Sequence, residues 1–180
     1  MRTLPVALAA ILLLLAAHAA PCRAGADSVE RAGDVLQIVL PATAYGMTVA
    51  FDDFEGTRQL TRSFLATMTA TVALKYAVDA QRPDGGGQSF PSGHTAAAFA
   101  GAAFIQQRYG WRLGIPAYGA AAFVAWSRVD AGRHHVEDVV GGAGLAMLSA
   151  WLLTSPLPDG IAVAPAVADG TFGVVLSGVW

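Results

Sequence analysis

Cysteine occurs once in the 180 residues, at Cys22, so no intramolecular disulfide framework can form. Charge is scarce as well. Asp, Glu, Lys and Arg make up 13% of the chain, 11 basic residues stand against 13 acidic ones, and the formal net charge is -2. That balance supplies no clustered basic face of the kind that grips a phosphodiester backbone, which excludes nucleic acid as the expected partner. Lysine is nearly missing, with Lys75 alone beside ten arginines. Internal repeats are lacking, and Gly85-Gly86-Gly87 is the single low-complexity patch, read as a loop. Long uncharged runs are few. After residue 26, only the gaps Asp34 to Asp52, with 17 residues between, and Asp138 to Asp159, with 20, reach the ~17–20 residues that cross a bilayer. The gaps Arg62 to Lys75, His94 to Arg108 and Arg112 to Arg128 are shorter, the length of buried core helices. Membrane span and soluble core both stay open on this count.

What is abundant is apolar. Hydrophobic residues make up 54% of the chain and the mean hydropathy is +0.49, which excludes disorder for the bulk and leaves room for one domain with a sizeable core. Residues 1–26 read as an export signal: Arg2, the apolar run Val6 to Ala17, Pro21 as breaker, and Ala24-Gly25-Ala26 as a cleavage pattern. Pro21 directly before Cys22 excludes a lipoprotein site. Residues 27–155 read as five helices, because the gaps are rich in Ala, Leu and Met without two-residue alternation. Turn-forming residues separate them at Asp52 to Gly56, Pro83 to Gly87, Tyr109 to Gly114 and Ala131 to Arg133. The fold class expected is all-α, a compact bundle of about five helices with the site at one end. Residues 156–180 form a tail in which Ile161 to Val167 and Thr171 to Trp180, split by Ala168-Asp169-Gly170, signal a small β-hairpin.

Outside the export signal, the histidines are His94, His134 and His135, and all lie in polar islands between helices. Lys75, Arg82, Arg128 and Arg133 gather in the same islands. In an antiparallel bundle the end of the second helix, the start of the third, the end of the fourth and the start of the fifth face one way, so the islands are expected to converge. Lys75 and Arg82 stand seven apart, which places both cations on one helical face ahead of the stop at Pro83. In Pro91-Ser92-Gly93-His94, Ser92 is placed to cap a helix, Gly93 to expose backbone N–H to an anion such as phosphate, and His94 to stand in the first turn. Asp138 follows His134 by four residues, able to accept from one ring nitrogen and leave the other as a lone-pair donor. His135 and Glu137 point elsewhere and read as solvated neighbours.

Together, Lys75-x6-Arg82-Pro83, Pro91-Ser92-Gly93-His94 and Ser127-Arg128-x5-His134-x3-Asp138 resemble the three-part signature of the type 2 phosphatidic-acid phosphatase family, related to bacterial class A acid phosphatases and vanadium haloperoxidases. No signature position is substituted. The resemblance implies a phosphate cradle of Lys75, Arg82, Ser92, Gly93 and Arg128. His134, held by Asp138, is the implied nucleophile and His94 the implied acid and base. Phosphoryl transfer of this kind works by positioning and charge stabilisation. No metal or other cofactor is expected, since three cations neutralise the phosphate and the islands lack the carboxylate cluster of a magnesium site.

The function expected is metal-independent hydrolysis of phosphate monoesters or pyrophosphates of membrane lipids, with membrane association and a location outside the cytoplasm, at the periplasmic face or in the periplasm. Three alternatives stand beside it. One is a soluble periplasmic acid phosphatase acting on small phosphomonoesters. Another is a vanadium haloperoxidase, against which the short chain argues. The last is a non-enzymatic transition-metal site built from His94, His134, His135 and Asp138.

Overall fold

The computed structural model describes residues 26–157, together with the backbone pairing of two strands in the tail. Five helices follow in order: α1 Ala26–Ala50, α2 Phe54–Val78, α3 Gly93–Tyr109, α4 Trp111–Asp130 and α5 Val136–Leu153. The expected signal falls on residues 1–26, all but the last of them outside the described residues, whereas the all-α bundle of five is what the chain forms. Strands β1 Ile161–Ala168 and β2 Thr171–Gly178 pair antiparallel, with Ala168 opposite Thr171. Their side chains lie outside the described residues. The fold class therefore rests on the helices, and the tail hairpin stays an expectation.

Helix α3 is the axle of the bundle. Its Ala-rich sequence carries small apolar residues on every side, and Ala96, Ala97, Ala98, Ala100, Ala102, Ala103, Phe104 and Ile105 are all buried. A helix apolar all round must be enclosed by others, and α3 packs against α1, α2, α4 and α5. Small residues set how closely they approach. A Cβ on Gly142 of α5 would come within 2.6 Å of the Ser92 carbonyl oxygen, and one on Gly101 of α3 within 2.7 Å of the Leu40 and Pro41 backbone of α1. The core is completed by Leu40, Ala44, Leu60, Ala117, Ala121 and Val124.

Local signals explain the boundaries. Asp53 caps α2 by accepting from the Gly56 amide at 2.8 Å, and Ser92 caps α3 by accepting from Thr95. The step from α3 to α4 is Gly110 alone, at φ 88°, a conformation that glycine adopts without a Cβ clash. One boundary departs from the sequence expectation. Helix α2 ends at Val78, with Asp79 in the left-handed region, so Arg82 lies in the following loop rather than seven helical steps above Lys75. The loop holds itself instead, with Arg82 N–H donating to the Gly86 carbonyl at 2.7 Å and Ser89 N–H to that of Ala80 at 2.8 Å.

At the end of the bundle where α3 finishes, Asp53, Arg108 and Tyr109 form a buried cluster. Arg108 donates to both carboxylate oxygens of Asp53, at 2.7 and 2.6 Å, and Tyr109 adds a third bond at 3.0 Å. The remaining Arg108 nitrogen reaches the carbonyls of Ser155 and Pro156. One ion pair thus ties the α1–α2 turn and the chain after α5 to the end of α3.

Candidate active site

The other end of α3 opens on a cavity of about 410 Å³ lined by Glu30, Asp34, Lys75, Arg82, Gly93, His94, Arg128, Arg133 and His134. Six of the eight residues singled out from the sequence meet here: Lys75, Arg82, Gly93, His94, Arg128 and His134. Asp138 stands behind the wall. Ser92 is fully buried, and its hydroxyl is taken by the Thr95 amide and hydroxyl, so it shapes the start of α3 rather than lining the cavity.

His134 sits in the loop between α4 and α5. Its backbone N–H donates to the Arg128 carbonyl at 3.2 Å, as does that of Arg133 at 3.0 Å, which folds the loop back on the end of α4. The side chain is buried, with Nδ1 3.4 Å from Asp138 Oδ2. The pairing differs from the expected helical one in geometry. Helix α5 begins only at Val136, so Asp138 is a residue of its first turn and also accepts from the His135 N–H at 2.8 Å. Ser89 donates to the same Asp138 oxygen and lies 3.4 Å from His134 Nδ1. An ionised Asp138 fed by these donors favours the tautomer with Nδ1 protonated and Nε2 bare.

The electrostatics favour a neutral imidazole. Burial pushes the His134 value down to about 4; Asp138 opposes this, while Arg82 and Lys75 reinforce it. Burial likewise lowers His94, and the Arg128 charge adds to the effect, against Asp34, which pulls it up. Lys75 is lowered by burial and by Arg82, and its ammonium is anchored on the Gln88 carbonyl at 2.7 Å.

Arg128 is buried and nearly surrounded. Nε donates to Ser127 Oγ at 3.2 Å, Nη1 to Asp34 Oδ1 at 2.8 Å and Nη2 to the Glu30 carbonyl at 2.5 Å. A guanidinium carries five N–H groups, so two remain for an incoming oxyanion. Helix α1 approaches this closely because Gly33 faces Ser127 and Arg128; a Cβ there would stand 2.1 Å from Ser127 Oγ. Asp34 Oδ1 also lies 3.1 Å from His94 Nε2. Arg133 is half-exposed at the rim, bridging Glu30 at 2.8 Å and Asp84 at 3.3 Å.

Glu30, Asp34 and Ser89 are the site residues that sequence reasoning missed. The spacing of four between Glu30 and Asp34 puts both carboxylates on one helical face, but nothing in the sequence says what that face meets. Ser89 carries no signal beyond its closeness to Pro91. Among the described residues, no group of three or more His, Cys, Asp or Glu side chains could hold a metal ion, and His135 is exposed, so the four residues of the alternative metal site do not converge.

The cavity combines cations around a central space with a buried imidazole oriented by a carboxylate, an arrangement suited to holding a tetrahedral oxyanion and attacking it. The sequence pattern of the PAP2 superfamily matches residues 57–159. The chain is 33% identical to the lipid A 4'-phosphatase of Helicobacter pylori over 147 residues, covering 75% of this chain and 74% of that protein. It is 41% identical to the lipid A 1-phosphatase of Porphyromonas gingivalis over 80 residues, 42% of this chain and 18% of that one. In fold it is similar to the crystal structure of Aquifex aeolicus LpxE, with a TM-score of 0.59 at 19% identity over 81% of this chain and 93% of that one. The chain therefore belongs to the PAP2 superfamily and is an enzyme of the phosphoric monoester hydrolase class.

Proposed function

We propose that this PAP2-type lipid phosphatase removes a phosphate monoester from a membrane lipid through a phosphohistidine, without a metal. The observation that carries the reading is the 3.4 Å approach of Asp138 to Nδ1 of a buried His134, inside a cavity that Lys75, Arg82 and Arg128 also reach. The phosphate enters between the three cations, with the Gly93 amide at the start of α3 as a further donor. Nε2 of His134 attacks phosphorus as the bond to the leaving oxygen breaks, and His94 gives that oxygen its proton. His94 then takes a proton from water, whose oxygen displaces His134 and releases inorganic phosphate.

A lipid is favoured over a small soluble phosphomonoester by the surface beside the cavity. Val136, Val140, Leu148 and Trp151 are exposed at helical spacing along α5, an apolar stripe that starts two residues from His134. Residues Val136–Leu153 are also long and apolar enough to cross a membrane. The relatives named lipid A phosphatases support the same substrate class. Membrane association and an active face outside the cytoplasm complete the proposal. Phosphate release from lipid A, phosphatidate and a soluble sugar phosphate tests it: turnover of the lipids in mixed micelles well above the sugar phosphate is expected, and a preference for the sugar phosphate overturns it.

A further inference from the structure

Helix α1 brings two carboxylates to the cavity, and the phosphatase reading gives neither of them a task. Asp34 lies 3.1 Å from His94 Nε2 and 2.8 Å from Arg128. Glu30 Oε1 lies 3.9 Å from Arg128 and 2.8 Å from Arg133. Both residues lie on α1 and precede the span 57–159 that matches the superfamily pattern. Their position within the reaction follows from His94. The atom His94 protonates is the leaving oxygen, so the leaving group lies on the His94 side of the phosphorus, and that is the side Asp34 occupies. Among the described residues, Arg133 is the one further cation on this rim, and Glu30 and Asp84 already share its charge.

We infer that Glu30 and Asp34 select substrates by the charge of the leaving group, admitting phosphate monoesters and rejecting diphosphates. The inference rests on the phosphatase reading. In a monoester the broken P–O bond leaves an alkoxide that takes the His94 proton and departs as a neutral alcohol. In a diphosphate the same bond to the terminal phosphorus releases an alkyl phosphate that is already anionic, and its oxygens come to lie against Asp34 and Glu30. Like charges a few ångströms apart repel by up to about 10³-fold in rate at the dielectric of a protein surface, and the arginines already paired with both carboxylates reduce this to about tenfold. The cradle itself is indifferent, because Lys75, Arg82 and Arg128 hold the transferred phosphoryl group in both cases.

The test compares kcat/KM for a short alkyl phosphate with that for the diphosphate of the same alkyl group, on the full chain in detergent. Glu30 pairs with Arg128 and Arg133 whereas Asp34 is the carboxylate at His94, so replacing Glu30 tests the charge without disturbing the His94 contact. Glu30→Gln is the decisive variant, since the amide oxygen can keep its bond to Arg133 while the charge is lost. Asp34→Asn is the second. Each is expected to shift the ratio towards the diphosphate by about tenfold, and the double variant further. A ratio unchanged in Glu30→Gln and Asp34→Asn, whether or not both rates fall, overturns the inference, and so does a shift towards the monoester. Loss of wild-type turnover on every substrate overturns the phosphatase reading instead, so the two failures are distinct.

Discussion

Nδ1 of His134 stands 3.4 Å from Oδ2 of Asp138, and that carboxylate oxygen also accepts from Ser89 Oγ–H and the His135 amide. The ring is thus turned by a carboxylate that is itself fixed from two other directions. Replacing Asp138 with Asn removes the charge that selects the tautomer. Asp138→Asn is expected to lower kcat by about 10²–10⁴-fold with little change in KM, and His134→Ala to abolish turnover. Steady-state kinetics on a lipid phosphate check both, and full activity in His134→Ala ends the assignment.

His94 is expected to matter in proportion to how poor the leaving group is. His94→Ala should cost about 10²–10⁴-fold on an alkyl phosphate and much less on p-nitrophenyl phosphate, whose leaving oxygen needs no proton. Equal losses on the two substrates would remove His94 from the acid role.

The pH dependence follows from the two histidines. With its value pushed down to about 4, His134 stays neutral and nucleophilic above that pH. His94 must be protonated, and burial holds it below the ordinary histidine value of about 6.5. A plot of kcat/KM for an alkyl phosphate should therefore rise through pH ~4 and fall before ~6.5, an acidic optimum. Stability moves on the same acid side. The unfolded chain binds the His134 proton more readily than the folded one, so this histidine's contribution is present above ~6.5 and is lost as pH falls towards ~4. An alkaline optimum on alkyl phosphates would contradict the assignment of acid and nucleophile.

The Asp53–Arg108 pair lies at the opposite end of α3 from His94, with both side chains buried. Asp53→Ala leaves the guanidinium without its carboxylate and removes the cap of α2, which should cost about 3–5 kcal/mol of stability in denaturant titration. The folded fraction should still turn over substrate, because the pair touches no residue of the cavity. A loss of activity without a loss of stability would contradict this division.

Gly142 holds α5 against the start of α3. A Cβ there meets the Ser92 carbonyl at 2.6 Å and the Ala96 nitrogen at 3.2 Å, both backbone atoms that cannot rotate away. Gly142→Ala should destabilise by about 1–3 kcal/mol and, by displacing Ser92 and Gly93, lower kcat/KM as well. Thermal unfolding and kinetics on the same preparation decide it.

Much of this was legible before any coordinates. Five apolar segments punctuated by charges and turn residues point to five helices, since they are rich in Ala, Leu and Met and lack two-residue alternation. The three islands likewise name Lys75, Arg82, Gly93, His94, Arg128 and His134, and helix direction alone brings their ends together. Local geometry was less legible. The seven-residue step from Lys75 to Arg82 looks like two helical turns, yet Asp79 takes a left-handed conformation and the loop's own hydrogen bonds replace the helix. The four-residue step from His134 to Asp138 looks like one turn, yet the helix starts after His134.

What the sequence by itself determined is therefore the number of helices, their order and the chemistry carried at their ends, because hydrophobic spacing and side-chain type are local properties. Only the tertiary structure decided which groups share a charge. Asp34 reaches Arg128 and His94, Glu30 reaches Arg133, and Ser89 reaches Asp138 across 94, 103 and 49 positions for the contacts at Arg128, Arg133 and Asp138. No periodicity encodes such pairs. They exist because the glycines at 33 and 142 let α1 and α5 press against their neighbours, and close packing fixes the distances between charges.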